Sequence, residues 1–183
     1  MVDVAKVRLF GKEAGTVRWN ERRNVAEFEY ADNFNNSGIE PSPIMMPVRE
    51  GRVYSFGGLN WNTYNGLPGM LADSLPDTYG RALFDNWLKL TGRTSGNPVE
   101  SLCFLGKRCM GALEFEPAIA PETEYAERFE IATLVDVARD ALLQKEQFGA
   151  NLTSDRKNAI AAILSLGTSA GGQRAKPLIA YNK

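Results

Sequence analysis

Apolar and polar residues alternate in short runs within the first thirty positions of the chain. The first run places apolar residues at every second position: Ala5, Lys6, Val7, Arg8 and Leu9. A period of two is typical of a strand with one buried face. Glycines at Gly11 and Gly15 then mark a turn, and the third run shares one apolar face made of Ala26, Phe28 and Tyr30. The pattern therefore predicts a β-meander.

The residues after the meander combine short extended segments with helical ones. Prolines on both sides of Ile44-Met45-Met46 predict a short extended or edge segment, and Val53–Phe56 predicts another strand. Apolar residues then recur at helical spacing from Thr78 to Gly92. Pro98–Leu105 is a shorter predicted helix, because proline favours the first turn and Gly106 follows its end. Gly69–Ala72 after Pro68 is also predicted helical, and residues 111–116 return to strand.

A polar, proline-containing stretch at residues 118–128 predicts a boundary between two parts of the chain. Beyond it, amphipathic helices are predicted over residues 129–142 and 154–166, and a strand over Pro177–Tyr181. The predicted fold class is α+β, in two parts.

Composition excludes several classes of protein. The chain has 183 residues, 44% of them hydrophobic and 23% charged, with a net charge of −1. These values fit a globular protein of one domain, or of one domain and part of another, and carry no basic footprint for nucleic-acid binding. No apolar run is long enough to span a bilayer, and the first ten residues lack the layout of a signal peptide. Cys103 and Cys109 form no disulfide framework, which indicates a reducing, cytoplasmic setting. We therefore expect a cytoplasmic protein that contacts neither membrane nor nucleic acid directly. Histidine is absent, which excludes imidazole chemistry and histidine-ligated metal sites.

The segment from Gly167 to Lys176 is the strongest candidate for chemistry. Gly171 and Gly172 lie among small residues, and Lys176 opens an apolar strand. Small residues let backbone N–H groups approach a phosphate, and a lysine adds a point charge. The spacing is not that of a Walker A loop, and is closer to the kinase arrangement of a glycine loop followed by a lysine on a strand. On pattern alone, a glycine-rich hairpin with an exposed lysine is the simpler interpretation.

Other candidate residues have structural interpretations. Cys103 and Cys109 lack partners at metal-ligand spacing and are expected to be structural thiols. Glu114 and Glu116 share one strand face and are expected to be solvated or salt-bridged. The segment Trp61–Asn65 is either a recognition loop or, more simply, a packed loop.

Three segments resemble one family, the HipA-like proteins. Residues 66–81 (GLPGMLADSLPDTYGR) are similar to its "GLPG-x-x-ADSLPD-x-x-GR" stretch, and residues 105–117 (LGKRCMGALEFEP) to its "G-x-x-x-MGAL-x-FEP" segment. Residues 169–176 (SAGGQRAK) resemble its "S-x-GGARPK" loop, although Gln173 and Ala175 replace the usual Ala and Pro.

The resemblance implies a serine/threonine protein kinase, the toxin of a type II toxin–antitoxin module linked to persistence. It implies transfer of the ATP γ-phosphoryl group, with Mg²⁺, to a protein substrate, of which an aminoacyl-tRNA synthetase is one type. The implied partner is a HipB-like helix-turn-helix antitoxin. The implied architecture is an N-terminal coupling subdomain with a mixed β-sheet in residues 1–120, followed by the start of the kinase core in residues 121–183.

The resemblance also assigns roles to residues of the tail. Lys176 matches the lysine that contacts the ATP phosphates, and Ser169 matches the serine that is autophosphorylated. The other nucleotide-binding residues that it implies are Ala170, Gly171, Gly172 and Gln173.

The Asp/Asn-rich catalytic and Mg²⁺-binding motifs of the family have no counterpart here, so this chain is assigned no catalytic residue and no metal ligand. We expect an N-terminal fragment of a kinase that is inactive alone. Two alternatives stay open: a self-sufficient regulatory, antitoxin-like module from a split HipA system, and a pseudokinase scaffold that binds nucleotide without turnover.

Overall fold

A computed structural model describes residues 1–109 and 111–119 of the chain. The chain divides into two compact units. The first unit comprises Met1–Leu75 and Asn97–Ile119, and the second comprises Pro76–Gly96 with Ala120–Lys183. The helices predicted over residues 129–142 and 154–166, and the strand predicted over 177–181, lie outside the described residues and stay predictions.

A five-stranded antiparallel sheet forms the frame of the first unit. Its strands are β1 (Val4–Leu9), β2 (Lys12–Asn20), β3 (Val25–Tyr30), β4 (Val53–Tyr54) and β5 (Leu113–Glu116). They lie in the order β4-β3-β2-β1-β5, and every described pair is antiparallel. The α+β prediction is confirmed here, but the mixed sheet is wrong. Short hairpins join β1 to β2 and β2 to β3, and such connections can join only antiparallel strands.

The predicted alternation in the meander is confirmed by burial. Ala5, Val7 and Leu9 are all buried on one face of β1. The register with β2 shifts once, since Val7 pairs with Gly15 whereas Arg8 pairs with Glu13. The extra residue between these two partners makes a β-bulge, which bends the strand without moving the apolar side chains to the outer face.

Helix α4 packs against the inner face of the sheet. Among the described residues the α-helices are α1 (Trp61–Tyr64), α2 (Gly69–Ala72), α3 (Thr78–Leu90) and α4 (Pro98–Leu105), and a 3-10 helix covers Asp32–Ser37. Every residue of α4 from Val99 to Leu105 is buried, and Val99, Leu102 and Cys103 join the sheet residues in one core. The predicted start at Pro98 and end before Gly106 are both confirmed.

Asn97 joins the beginning of α4 to the beginning of β1. Its side-chain oxygen accepts a hydrogen bond from the backbone N–H of Glu100 at 2.8 Å, which caps the helix. Its amide nitrogen donates to the Val2 carbonyl at 3.0 Å and to Asp3 Oδ1 at 2.7 Å. One side chain therefore satisfies a helix terminus and connects two segments that are far apart in sequence.

Two tyrosine hydroxyls hold the proline-rich loop of residues 41–47. Tyr30 Oη donates to the Met46 carbonyl at 2.9 Å, and Tyr54 Oη donates to the Pro47 carbonyl. The extended segment predicted at Ile44–Met46 is wrong, because residues 43–45 form a turn in which the Met46 N–H bonds to the Ser42 carbonyl at 2.8 Å. Met46 is buried whereas Ile44 is exposed, so the turn serves to insert one methionine into the core.

The second unit contains α3, described here by itself. Asp77 Oδ1 accepts a hydrogen bond from the Gly80 N–H at 2.9 Å and caps the helix. Residues Ala82, Leu83 and Leu88 are buried, as their helical spacing predicts. The helix predicted from Thr78 to Gly92 is thus confirmed, with its last residue at Leu90.

Ion pairs cover the outer face of the sheet. Lys6 Nζ lies 3.1 Å from Glu13 Oε2, and Arg18 Nη2 lies 2.5 Å from Glu27 Oε2. Glu27 also accepts from Asn20 Nδ2 at 2.8 Å, and its side chain is 13% exposed. The hydrogen bond from Arg18, followed by that from Asn20, lowers the pKa of Glu27.

Gly15 lies where two strands approach too closely for a side chain. A Cβ there would lie 2.2 Å from the Glu29 carbonyl oxygen and 2.7 Å from Phe28 Cζ. We expect Gly15→Ala to lower the free energy of unfolding by about 1–3 kcal/mol or more, because backbone and core must shift. Gly57→Ala is the matched control, since nothing lies within 4 Å of its Cβ position. Equal urea midpoints for the two variants would contradict this account.

Glu27 predicts a specific pH dependence of stability. Its pKa in the folded chain is lowered from the ordinary value of 4.5. Its contribution to the free energy of unfolding is therefore complete above pH 4.5 and is lost as the pH falls through the folded pKa. We expect Glu27→Gln to cost up to about 1 kcal/mol at neutral pH, because its partners Arg18 and Arg23 are exposed to solvent, and less in acid. Urea unfolding at several pH values measures this difference. Glu21→Gln, at an exposed hairpin carboxylate, is the control variant, and the same pH dependence for both variants would contradict the role of Glu27.

Candidate functional site

The nucleotide-binding residues predicted from sequence lie outside the described residues. They are Ser169, Ala170, Gly171, Gly172, Gln173 and Lys176. Their roles stay predictions. The other two segments that resemble HipA-like proteins, residues 66–81 and 105–117, are described apart from Met110 and the Tyr79 side chain, and their geometry shows what each does locally.

The first segment begins with a glycine that packs against the β2–β3 hairpin. Gly66 has φ +74°, and a Cβ there would lie 2.8 Å from Trp61 Cζ3 and 2.9 Å from the Asn24 carbonyl oxygen. Its own carbonyl accepts the N–H of Ala26 at 2.8 Å. Only glycine allows this approach, and Leu67, the next residue, is fully buried. The start of the motif is therefore required by the fold.

The rest of the first segment ends one helix and begins another. Ser74 and Leu75 close the turn after α2 through hydrogen bonds to the carbonyls of Leu71 and Ala72, at 3.1 and 3.0 Å. In the second unit, the Asp77 cap begins α3, and Arg81 Nε lies 3.7 Å from Asp85 Oδ1 one turn later. These contacts give Asp77 and Arg81 structural roles in and near the start of α3.

Gly106 allows the second segment to turn closely beneath α4. It has φ +58°, and a Cβ there would lie 2.8 Å from Ala118 Cβ. Its carbonyl accepts the N–H of Phe115 at 3.1 Å, which connects the end of the helix to β5. Phe115 is fully buried in the core.

Arg108 folds back over the end of α4. Its guanidinium donates to the Phe104 carbonyl at 2.7 Å through Nη2 and to the Leu105 carbonyl at 3.3 Å through Nε. It also lies 6.0 Å from the centroid of the Phe104 ring. Burial lowers the pKa of Arg108, but the cation is well placed against the negative end of the helix dipole. Its described contacts are those of a helix-capping residue.

The two cysteines are structural thiols, as predicted. Cys103 is buried, and burial raises its pKa to about 12. Cys109 Sγ lies 3.5 Å from the Gly106 carbonyl oxygen, and burial raises its pKa to about 12 as well. Both groups are therefore protonated at neutral pH, and neither is an activated nucleophile.

The paired carboxylates also behave as predicted. Glu116 Oε1 lies 2.9 Å from Arg8 Nε, although the angle is too poor for a hydrogen bond, and Glu114 is paired opposite Arg8 across the strands. Among residues 1–109 and 111–119, no group of three or more ligand-type side chains could hold a metal ion.

The segment at Trp61, interpreted as a loop, forms the short helix α1, because the Asn60 side chain accepts the Asn62 N–H at 2.9 Å.

One surface residue escaped the sequence interpretation. Phe10, at the tip of the β1–β2 hairpin, is 72% exposed and has a positive φ of 49°. The signal that could have found it is the Phe-Gly pair at a predicted two-residue turn, where Asn-Gly or Asp-Gly is usual.

One comparison with known proteins identifies a family. The family model described as the HipA N-terminal domain matches residues 5–116. No curated protein and no solved structure gives a significant match. No helix among the described residues is long and apolar enough to cross a membrane. Since the match covers more than half of the chain, from the second residue of β1 to the last residue of β5, the chain belongs to the HipA N-terminal domain family.

Proposed function

We propose that this chain supplies the N-terminal domain and the ATP-phosphate loop of a HipA-type serine/threonine protein kinase. The observation that carries the proposal is the family match over residues 5–116, followed in the same chain by the glycine loop and Lys176. The kinase would be the toxin of a cytoplasmic toxin–antitoxin module. Its partners would be a HipB-like antitoxin and a protein substrate, of which an aminoacyl-tRNA synthetase is one type.

The chemistry proposed for the tail is phosphate binding. Backbone N–H groups of Ala170–Gln173 would contact the phosphates, and the Lys176 ammonium would add a charge-assisted hydrogen bond. ATP with Mg²⁺ transfers its γ-phosphoryl group to a hydroxyl acceptor in kinases of this kind. Within residues 1–109 and 111–119 no cluster of ligand-type side chains fits a Mg²⁺ site, so the proposal for the tail is restricted to phosphate contacts.

The described domain supports a role in positioning. Its core closes within the first unit, since residues from β1 to α2 and from α4 to β5 pack in one cluster. Burial keeps the thiols of Cys103 and Cys109 protonated, and Glu116 is paired with Arg8, so neither cysteine of the domain is an activated nucleophile. Such a domain suits the holding of a partner or of a second lobe. The same observation favours the alternative of a regulatory module from a split HipA system.

Replacing Lys176 tests the nucleotide proposal. We expect Lys176→Ala to weaken binding of Mg-ATP about tenfold to a hundredfold, because it removes one hydrogen bond from a charged group. Isothermal titration of the full chain measures the affinity. Lys12→Ala is the matched control, since Lys12 is exposed in β2 and belongs to the described domain. Identical affinities for the two variants would remove Lys176 from the site, and no binding by the wild-type chain would favour the regulatory module.

Ser169 predicts a charge-based off-switch. A phosphate on this serine adds about −1.5 to −2 charges beside the nucleotide phosphates. We expect Ser169→Asp, which mimics part of that charge, to lower the affinity for Mg-ATP severalfold, whereas Ser169→Asn leaves it near the wild-type value. The two substituents have nearly the same shape, so the difference isolates charge. An Asn variant that binds as weakly as the Asp variant would indicate a steric effect instead.

A further inference from the structure

The loop between β1 and β2 holds a phenylalanine in a backbone conformation that disfavours it. Leu9 pairs with Lys12, and the two residues between them, Phe10 and Gly11, have φ values of 49° and 75°. Positive φ at both positions defines a type I′ turn, whose first position favours Asn, Asp or Gly. The other non-glycine residues with positive φ among the described residues are Asn24 and Asn65, the type that tolerates it.

Packing does not explain the phenylalanine. The Phe10 side chain is 72% exposed, and it makes no aromatic pair within the described ranges. Trp61, the other strongly exposed aromatic residue, differs because its ring lies 6.2 Å from that of Trp19. Neither the backbone conformation nor packing in the core therefore favours phenylalanine at position 10. A residue kept in a strained backbone conformation without a packing role indicates a function.

The turn is held in place by an arginine. Arg8 Nη1 donates to the Gly11 carbonyl at 3.1 Å, and Arg8 Nε lies 2.9 Å from Glu116 Oε1. The residue before the turn, Leu9, pairs with β2 on one side and with β5 on the other. A side chain presented from so fixed a backbone loses little conformational entropy when a partner covers it.

The charge beside Phe10 indicates the partner's chemistry. Lys12 is exposed and makes no ion pair within residues 1–109 and 111–119, whereas the nearby Glu13 and Glu116 are paired with Lys6 and Arg8. We propose that Phe10 is an anchor residue that enters an apolar pocket on a protein partner, with carboxylates at the rim facing Lys12. This inference rests on the proposed function, which supplies the partner: the HipB-like antitoxin.

Phe10→Asn separates binding from folding. Asparagine suits the first position of a type I′ turn, so we expect the melting temperature to stay equal or rise by a few degrees. Loss of the buried ring should weaken the affinity for the purified HipB-like antitoxin of the same operon by about tenfold to a hundredfold. Titration calorimetry with the full chain measures this. Ile44→Asn is the control, since Ile44 is 90% exposed in a different loop, and it should bind like wild type.

Each other outcome has a distinct meaning. If wild type and Phe10→Asn bind the antitoxin equally, the anchor is wrong and the antitoxin partnership stands. If the wild-type chain does not bind the antitoxin, both the anchor and the proposed partnership are wrong, whereas the nucleotide proposal is judged separately by Lys176→Ala. If sedimentation shows self-association that Phe10→Asn abolishes, Phe10 contacts a second copy and the antitoxin assignment is overturned.

Discussion

The burial of α4 against the sheet is the contact on which the described fold depends. A helix of eight residues is marginal by itself in water, so α4 exists because seven of its residues are buried. Both of its ends are connected to the sheet, at the beginning through Asn97 to Val2 and Asp3 and at the end through the Gly106 carbonyl to Phe115. These contacts bring residues 97–119 back onto the first seventy-five residues. They also set β5 beside β1, which completes the sheet.

The sequence predicted the elements whose signals are local. The alternation of apolar and polar residues predicted the meander. Pro98 and Gly106 predicted where α4 begins and ends, because a first-turn proline and a terminal glycine act within one helical turn. The turn at residues 43–45 escaped prediction because it depends on Tyr30 and Tyr54, whose hydroxyls donate from the sheet to the carbonyls of Met46 and Pro47 directly after it. The strand order also escaped prediction, since nothing local in β5 shows that it pairs with β1. Long-range contacts decided both.

For the candidate site, sequence and structure contribute to different parts. The tail from Ser169 to Lys176 is interpreted from sequence and resemblance alone, whereas the described domain shows how the other two segments work. The outer face of the sheet in this domain carries ion pairs, such as Lys6 with Glu13 and Arg8 with Glu116. Exposed pairs of this kind stabilise little but keep the face solvated. Phe10, outside these pairs, stood in no motif and was found only through its backbone conformation and exposure.

The glycines show why the family match is stronger evidence for the fold than for an activity. Gly66 and Gly106 belong to the two described segments that resemble the family. Each position requires glycine, because a Cβ there would lie 2.8 Å from a neighbouring side-chain atom. A family match that depends on such residues is therefore evidence for how the backbone folds. Gly171 and Gly172 are the same residue type with a different proposed use, the approach of a phosphate, and they lie beyond the matched residues 5–116. The proposed nucleotide binding therefore rests on residues that the family match does not include, so it has to be tested at the tail itself.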